Sequence, residues 1–267
     1  MTRLAILAGQ GDLPARIADT HSDALFVHFE GLDVPLPANQ TMRTSFERFG
    51  ELFDGLNTHG VTEVVFAGGL SRPSLNPSNF DAKMMELAPR FMAAMQGGDD
   101  ELLRSVVAAF EEHGFKVRGA HELVDTLTAS PGLLVGPEPS EDDLKDIEKA
   151  RAILLALGPL DVGQGAVVRG GQPLGIETAQ GTDAMLSFVQ ETSSSRLGCK
   201  GVLVKAPKPG QDLRIDMPAI GPNTVAAAAA AGLAGIAIDA EQVLLIDREA
   251  ILKAASDAGP FILAEAP

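Results

Sequence analysis

Apolar residues enter the first half of the chain in short runs of strand length, at Leu4–Ala8, Ala24–Phe29, Glu63–Ala67 and Phe115–Arg118. Between them the spacing lengthens: Phe46, Phe49, Leu52, Phe53 and Leu56 recur at three- and four-residue steps and fall on one face of a helix. Asp99 to His113 reads as a second helix, with acids at its positive N-terminal end and Gly114 just beyond its last turn. Strands alternating with amphipathic helices predict a βαβ sheet. The pattern stops between Thr126 and Pro139, where Thr-Ala-Ser-Pro-Gly and Gly-Pro-Glu-Pro cluster turn residues without any period, so a domain boundary is placed there. Two domains follow, 1–128 and 129–267, and 267 residues are enough for two cores.

Beyond the break, Ser140 followed three residues later by Asp143 reads as a capping sequence that opens a helix to about Leu157. Gly165–Val168 and Pro173–Glu177 flank Arg169-Gly170-Gly171-Gln172, a hairpin pattern. Helices are expected from Thr182 to Gln190, from Pro222 to Ala231 and from Arg248 onward, with strands at Val202–Lys205, Gly235–Ile238 and Val243–Ile246.

Composition narrows the function classes. A formal charge of −15 and the absence of Trp and Tyr argue against a nucleic-acid partner, which needs localised cations and stacking platforms. Cys199 is the single cysteine, so neither an intrachain disulfide nor a cysteine-based metal site is expected, and a reducing cytoplasm fits. With five His, a metal would rest on oxygen ligands, which favours Mg²⁺ over Zn²⁺. The longest apolar stretch, Val225 to Ile238, is broken by Gly232 and Gly235 and falls short of the roughly 20 residues a membrane span requires. Membrane contact is therefore expected to be peripheral at most. Met1-Thr2-Arg3 leads directly into a strand-length run too short for a signal peptide, so the first residues are expected to be structural.

Several loops could carry chemistry. Gly9-Gln10-Gly11-Asp12-Leu13-Pro14 follows the first strand and opens a helix, where doubly wound folds bind phosphate or a nucleotide, although Pro14 stands where the dinucleotide fingerprint has its third glycine. Gly68-Gly69-Leu70-Ser71-Arg72 leaves a strand at its carboxyl end, and Ser71 and Arg72 could hydrogen-bond a diphosphate or uridine. Asp99, Asp100, His121 and Glu122 offer carboxylates and an imidazole for a hydrated Mg²⁺ or for proton transfer.

From Arg196 to Arg214, five cations (Arg196, Lys200, Lys205, Lys208 and Arg214) accompany one acid, Asp212, which implies an anionic ligand held at one place. Lys205-Ala206-Pro207-Lys208-Pro209 holds two ammonium groups on a proline-braced loop. Asp216 follows as an isolated carboxylate among apolar residues, costly to bury unless paired or bound to metal.

These motifs together resemble one family. Leu7-Ala8-Gly9 with Leu13-Pro14, Phe66-Ala67-Gly68 with Ser71-Arg72-Pro73, Gly98-Asp99-Asp100 with Leu102-Leu103-Arg104, and Gly119-Ala120-His121-Glu122 come first. Asp161-x-Gly163-Gln164-Gly165-Ala166-Val167-Val168, Gln180-Gly181-Thr182-Asp183-Ala184-Met185-Leu186, Lys205-Ala206-Pro207-Lys208-Pro209 and Asp216-x-Pro218-x-Ile220-Gly221 follow in order. The set, which covers nearly the whole chain, resembles the LpxI-type UDP-2,3-diacylglucosamine pyrophosphatases. The resemblance implies a Rossmann-like N-terminal domain plus a distinct α/β C-terminal domain, a dimer, and Mg²⁺-dependent hydrolysis of UDP-2,3-diacylglucosamine to UMP and 2,3-diacylglucosamine 1-phosphate in lipid A biosynthesis. It also marks the aspartate matching Asp216 as essential.

On motif position, Asp216, Lys205 and Lys208 are expected to be catalytic, with Asp216 and Glu122 as metal ligands. Gly9, Gly11, Asp12, Ser71, Arg72, Asp99, Asp100, His121, Gln164, Gly165, Thr182, Asp183, Arg214 and Thr224 are expected to bind substrate. A cytoplasmic homodimer, in peripheral contact with the inner membrane, is the matching cellular picture. Two other classes compete: a nucleotide-dependent oxidoreductase, suggested by the Rossmann-like start, and a UDP-sugar or lipid binding protein without turnover.

Overall fold

The computed structural model describes residues 3–35, 37, 40–70, 74–192 and 200–266. The chain divides into two compact units, one formed by 1–124 with 212–216 and the other by 125–211 with 217–267.

In the first unit five strands, β1 (Leu4–Ala8), β2 (Leu25–Phe29), β3 (Thr41–Thr44), β4 (Glu63–Ala67) and β5 (Lys116–Arg118), form a parallel sheet in the order β3-β2-β1-β4-β5. That is the doubly wound, Rossmann-type order, and its direction reverses between β1 and β4. Helices α1 (Leu13–Thr20), α2 (Phe49–Thr58), α3 (Ala82–Ala94) and α4 (Asp99–Glu112) complete the unit. Ala5, Leu7, Leu25, Val27, Val64 and Val117 share a core with Phe49, Phe53, Phe91 and Phe110 from the helices. Ile6, Phe26 and Val65, at the alternate strand positions, are equally buried. A parallel strand covered on both faces must be apolar throughout, which is why β1 and β4 were legible as unbroken runs.

Helix α3 has no counterpart among the expected elements. Met84 is buried, whereas Met85, Met92 and Met95 are exposed. Its start is fixed by Asp81, whose carboxylate accepts from the Met84 amide at 2.7 Å. The same carboxylate accepts from the amides of Gly50 at 2.7 Å and Glu51 at 3.1 Å, in the first turn of α2, where the N-cap residue Arg48 supplies no side-chain acceptor. One aspartate thus caps two helices. Asp81→Ala is expected to cost about 2 kcal/mol, at the upper end for a cap, because three amides lose their acceptor together. A urea titration reads this as a lowered midpoint at unchanged slope.

The second unit carries β6 (Gly132–Val135), β7 (Gly165–Arg169), β8 (Gln172–Ile176), β9 (Val202–Lys205), β10 (Ala219–Ile220), β11 (Gly235–Asp239), β12 (Leu244–Leu245) and β13 (Phe261–Glu265). Six of them form a mixed sheet in the order β6-β13-β11-β9-β7-β8, parallel through β13, β11 and β9 and antiparallel toward both edges. The expected strand at Val243–Ile246 shrinks to β12, which pairs only with β10 outside this sheet. Helices α5 (Glu141–Leu157), α6 (Gly181–Thr192), α7 (Pro222–Ala230) and α8 (Arg248–Ala258) cover the sheet. Alternation divides the strand residues cleanly: Ala166, Val168, Val202, Val204 and Ala237 meet Ile147, Ala150 and Leu154 of α5. Val167, Leu203, Ile236 and Ile238 meet Leu186, Val225 and Ile251 of the other three helices.

The stretch of turn residues taken as the domain boundary contains β6, and the chain end contains β13, its antiparallel partner; neither strand is among the expected elements. The predicted hairpin is present, with Arg169 paired to Gln172 across a two-residue turn in which Gly170 and Gly171 both have positive φ, as a primed turn requires. Asp146 of α5, 3% exposed, accepts from the amides of Gly170 and Gly171 at 2.8 and 2.7 Å and holds that turn in place.

Candidate active site

At the reversal point of the first sheet, the loops that follow β1 and β4 are laced together. Gly9 donates to the Ala67 carbonyl at 2.7 Å, while Gln10 and Gly69 exchange two backbone hydrogen bonds of 2.7 and 2.8 Å. A Cβ on Gly9 would lie 2.6 Å from the Gly69 carbonyl oxygen, and one on Gly68, at φ +92°, would collide with the Gln10 carbonyl. At Gly9 and Gly68 the lack of a side chain lets one loop approach the other. Gly11, at φ +91°, faces open space, and Asp12 is exposed at the start of α1 without bonding its amides. Ser71 and Arg72 lie outside the described residues, as does Arg196.

Elsewhere in this unit, Asp99 and Asp100 occupy the first turn of α4, and Asp100 pairs with Arg104 at 3.5 Å. His121 lies in a 3-10 turn, and its Nδ1 is buried without a hydrogen-bond partner. Glu122 accepts from the Gly119 amide at 3.0 Å and from Arg118 Nε at 2.6 Å. Burial opposes its ionisation, but the Gly119 amide and the Arg118 guanidinium outweigh burial and hold its carboxyl below the usual range.

Residues 212–216 join the first unit. Arg214 grips Asp212 through Nε at 2.9 Å and Nη2 at 2.7 Å, reaches Glu111 of α4 through Nη1 at 2.7 Å, and Ile215 packs against the core of this unit. Asp216 comes next, half-buried, with its amide bonded to the Asp212 carbonyl at 3.1 Å. The Arg214 hydrogen bonds hold the Asp212 carboxyl below its ordinary value, and the same bonds raise the guanidinium. A depressed carboxyl stabilises the fold fully above the unfolded value of about 3.9 and loses that contribution as pH falls through the folded value. Wild-type protein is accordingly expected to lose stability below about pH 4 more steeply than Asp212→Asn, as melting curves across pH 2–6 would read.

The second unit gathers the lysine loop with the other predicted residues. Lys205, at the carboxyl end of β9 and 5% exposed, donates from Nζ to Thr182 Oγ1 at 2.7 Å and lies 3.5 Å from Glu177 Oε2. Thr182, second residue of α6, donates in turn to Glu177 Oε1 at 2.8 Å. Gly165 stands opposite Lys205 in the β7–β9 ladder, and the Gln164 carbonyl accepts from Ala206. Lys208 pairs with Asp161. Asp183 is exposed on α6, and Thr224 is buried in the first turn of α7, accepting from the Gly221 amide at 3.3 Å.

Of the five cations in the linear stretch, Lys205, Lys208 and Arg214 each meet a carboxylate from elsewhere in the chain. Glu177 is the residue that sequence reasoning missed. Next to Thr182 and Glu177 in sequence lie residues of a groove of about 520 Å³, lined by Leu174, Ile176, Ala184, Met185 and Phe188 together with Gln180 and Gly181.

Among the described residues, no three His, Cys, Asp or Glu side chains converge as a metal cage. Mg²⁺ commonly binds through one or two carboxylates, waters and substrate phosphates, so a single carboxylate beside a diphosphate fits it where a protein-only site would not. Also among the described residues, no helix is long and apolar enough to cross a membrane.

Comparison with known proteins agrees with the two-unit architecture. Residues 3–127 match the model of the LpxI N-terminal domain and residues 130–263 that of the LpxI C-terminal domain. A relative from Caulobacter vibrioides, the UDP-2,3-diacylglucosamine pyrophosphatase LpxI, is 39% identical over 277 residues, an alignment covering 100% of this chain and 99% of the relative.

Proposed function

The chain belongs to the LpxI family, and from that premise we propose that it hydrolyses the diphosphate of UDP-2,3-diacylglucosamine to UMP and 2,3-diacylglucosamine 1-phosphate, a step of lipid A assembly. The observation that carries the reading is the end-to-end identity with a relative bearing that activity in its name. The geometry of the second unit supports it, because a buried ammonium and an apolar groove in one unit are what an anionic head group with acyl chains needs.

In this reading Lys205 and Lys208 offset the diphosphate charge, and the groove along α6 receives acyl carbon. Asp216 orients the attacking water or contributes the carboxylate of a Mg²⁺ site. When bound, Mg²⁺ would polarise the phosphoryl oxygens and neutralise charge in the transition state. Glu122, whose two oxygens accept from Arg118 and from the Gly119 amide, would be a second ligand through its remaining lone pairs. The protein acts in the cytoplasm as a homodimer, meeting the inner membrane from its surface.

The test is incubation with the diacylated UDP-sugar in ¹⁸O-labelled water, with Mg²⁺ and with chelator. Release of UMP together with label in the sugar 1-phosphate is expected, and only with the metal. Ligand-dependent thermal stabilisation without UMP release would replace the hydrolase with a binding protein. Label in UMP would move the attack to the other phosphorus.

A further inference from the structure

We propose that Glu177 is the positioning residue for Lys205, acting through the hydroxyl of Thr182 to hold the ammonium group ready for an anionic ligand. The inference rests on the reading above that Lys205 meets the diphosphate. It changes the expected role of Thr182 and brings in a residue outside the motifs.

The chain makes room for Glu177 at two positions. A side chain at Gly165 would place its Cβ 2.6 Å from Glu177 Oε2, and one at Gly163, which has φ +72°, would collide with the Glu177 carbonyl. The Glu177 amide is fixed to the Gly165 carbonyl at 2.8 Å, so the residue is anchored at its backbone as well. Thr182 has one proton to give and gives it to Glu177 Oε1, while its oxygen accepts from Lys205. Engaged in this way the hydroxyl has no proton for a phosphate, so its part is to join the carboxylate to the ammonium.

Glu177 Oε2 is buried, has no hydrogen-bond donor, and stands 3.5 Å from Lys205 Nζ. A buried carboxylate oxygen left without a donor calls for an explanation. With the Thr182 hydroxyl joining Oε1 to Nζ, the carboxylate orients the ammonium without a short direct bond to it. Of the three N–H groups on Nζ, one goes to Thr182 and one can face Oε2, which leaves a third for a ligand oxygen. A lysine on a flexible stem loses much orientation without such a tether, and a displacement of about 1 Å can cost 10²-fold in rate.

Steady-state kinetics on the full chain with the diacylated UDP-sugar test the proposal, with a melting temperature for every variant. Glu177→Gln and Thr182→Val are each expected to lower kcat about tenfold to a hundredfold with a smaller change in KM, because the ammonium survives but is misplaced. Thr182→Ser, which keeps the hydroxyl, should recover most of the loss seen in Thr182→Val. In a Lys205→Ala background, Glu177→Gln should add no further loss. A folded Glu177→Gln or Thr182→Val protein with wild-type kcat overturns the proposal, as does a double variant in which the two losses multiply. If Lys205→Ala itself turns over normally, the reading of the lysine site falls and the proposal with it. If Lys205→Ala is impaired and Glu177→Gln is not, the positioning role alone is lost.

Discussion

Asp216→Ala is expected to leave a folded protein that still binds substrate but turns it over about 10²- to 10⁴-fold more slowly. The fold should survive because the segment is anchored by its neighbours, Ile215 in the core and Arg214 on Asp212 and Glu111. Turnover should fall because a carboxylate that orients water or holds a metal stabilises the transition state more than the bound substrate. The loss then appears in kcat, and substrate affinity can rise slightly when a negative charge facing phosphate oxygens is removed. Melting temperature, substrate dissociation constant and kcat measured on one preparation separate the outcomes. A variant that melts early but turns over normally once folded would assign Asp216 to the turn instead.

Lys205→Ala should lower kcat/KM about 10²-fold, more than Lys208→Ala. Both lysines are well buried, but their partners differ: the Asp161 side chain is 32% exposed and that of Glu177 12%, so screening by water weakens the Lys208 site more. Lys205→Ala should also destabilise the protein, by up to roughly 3 kcal/mol, since it leaves the Glu177 carboxylate and the Thr182 hydroxyl buried without their cation. Lys205→Met keeps the stem and isolates the charge. Wild-type kinetics in both lysine variants, measured on folded protein, would remove the loop from the site.

The parts of this fold that were legible in sequence are those whose signal is local. β1 and β4 announce themselves as apolar runs because both faces are covered, and α5 because Ser140 and Asp143 form a reciprocal cap, with Ser140 Oγ accepting from the Asp143 amide at 3.2 Å. β3 was missed because an edge strand reading Thr-Met-Arg-Thr has no apolar run to show. β6 was hidden among breakers because its pairing partner, β13, is the last strand of the chain. Helix α3 contains Pro89, which ordinarily argues against a helix interior.

At the site the limitation was charge. The cations between 196 and 214 looked uncompensated because the partners of Lys208 and Arg214 lie 47 and 103 residues away. The glycines after β1 and β4 were found, but the contact they serve, one backbone against another, leaves no trace in a single strand of text. Glu177 lies just beyond a motif boundary, and only the fold shows that Gly163 and Gly165 are vacant on its account.

The membership of residues 212–216 in the first unit bears on how the protein is made. On the ribosome, Val124 emerges roughly 90 residues before Arg214 and Ile215, a delay on the order of 5–20 s at ordinary elongation rates. During that interval the first unit exists without the ion pair to Glu111 and with the surface that Ile215 covers still open to water. It reaches its final form only when most of the second unit has been synthesised, so a gene cut after residue 124 encodes the Rossmann-type sheet but not the finished unit.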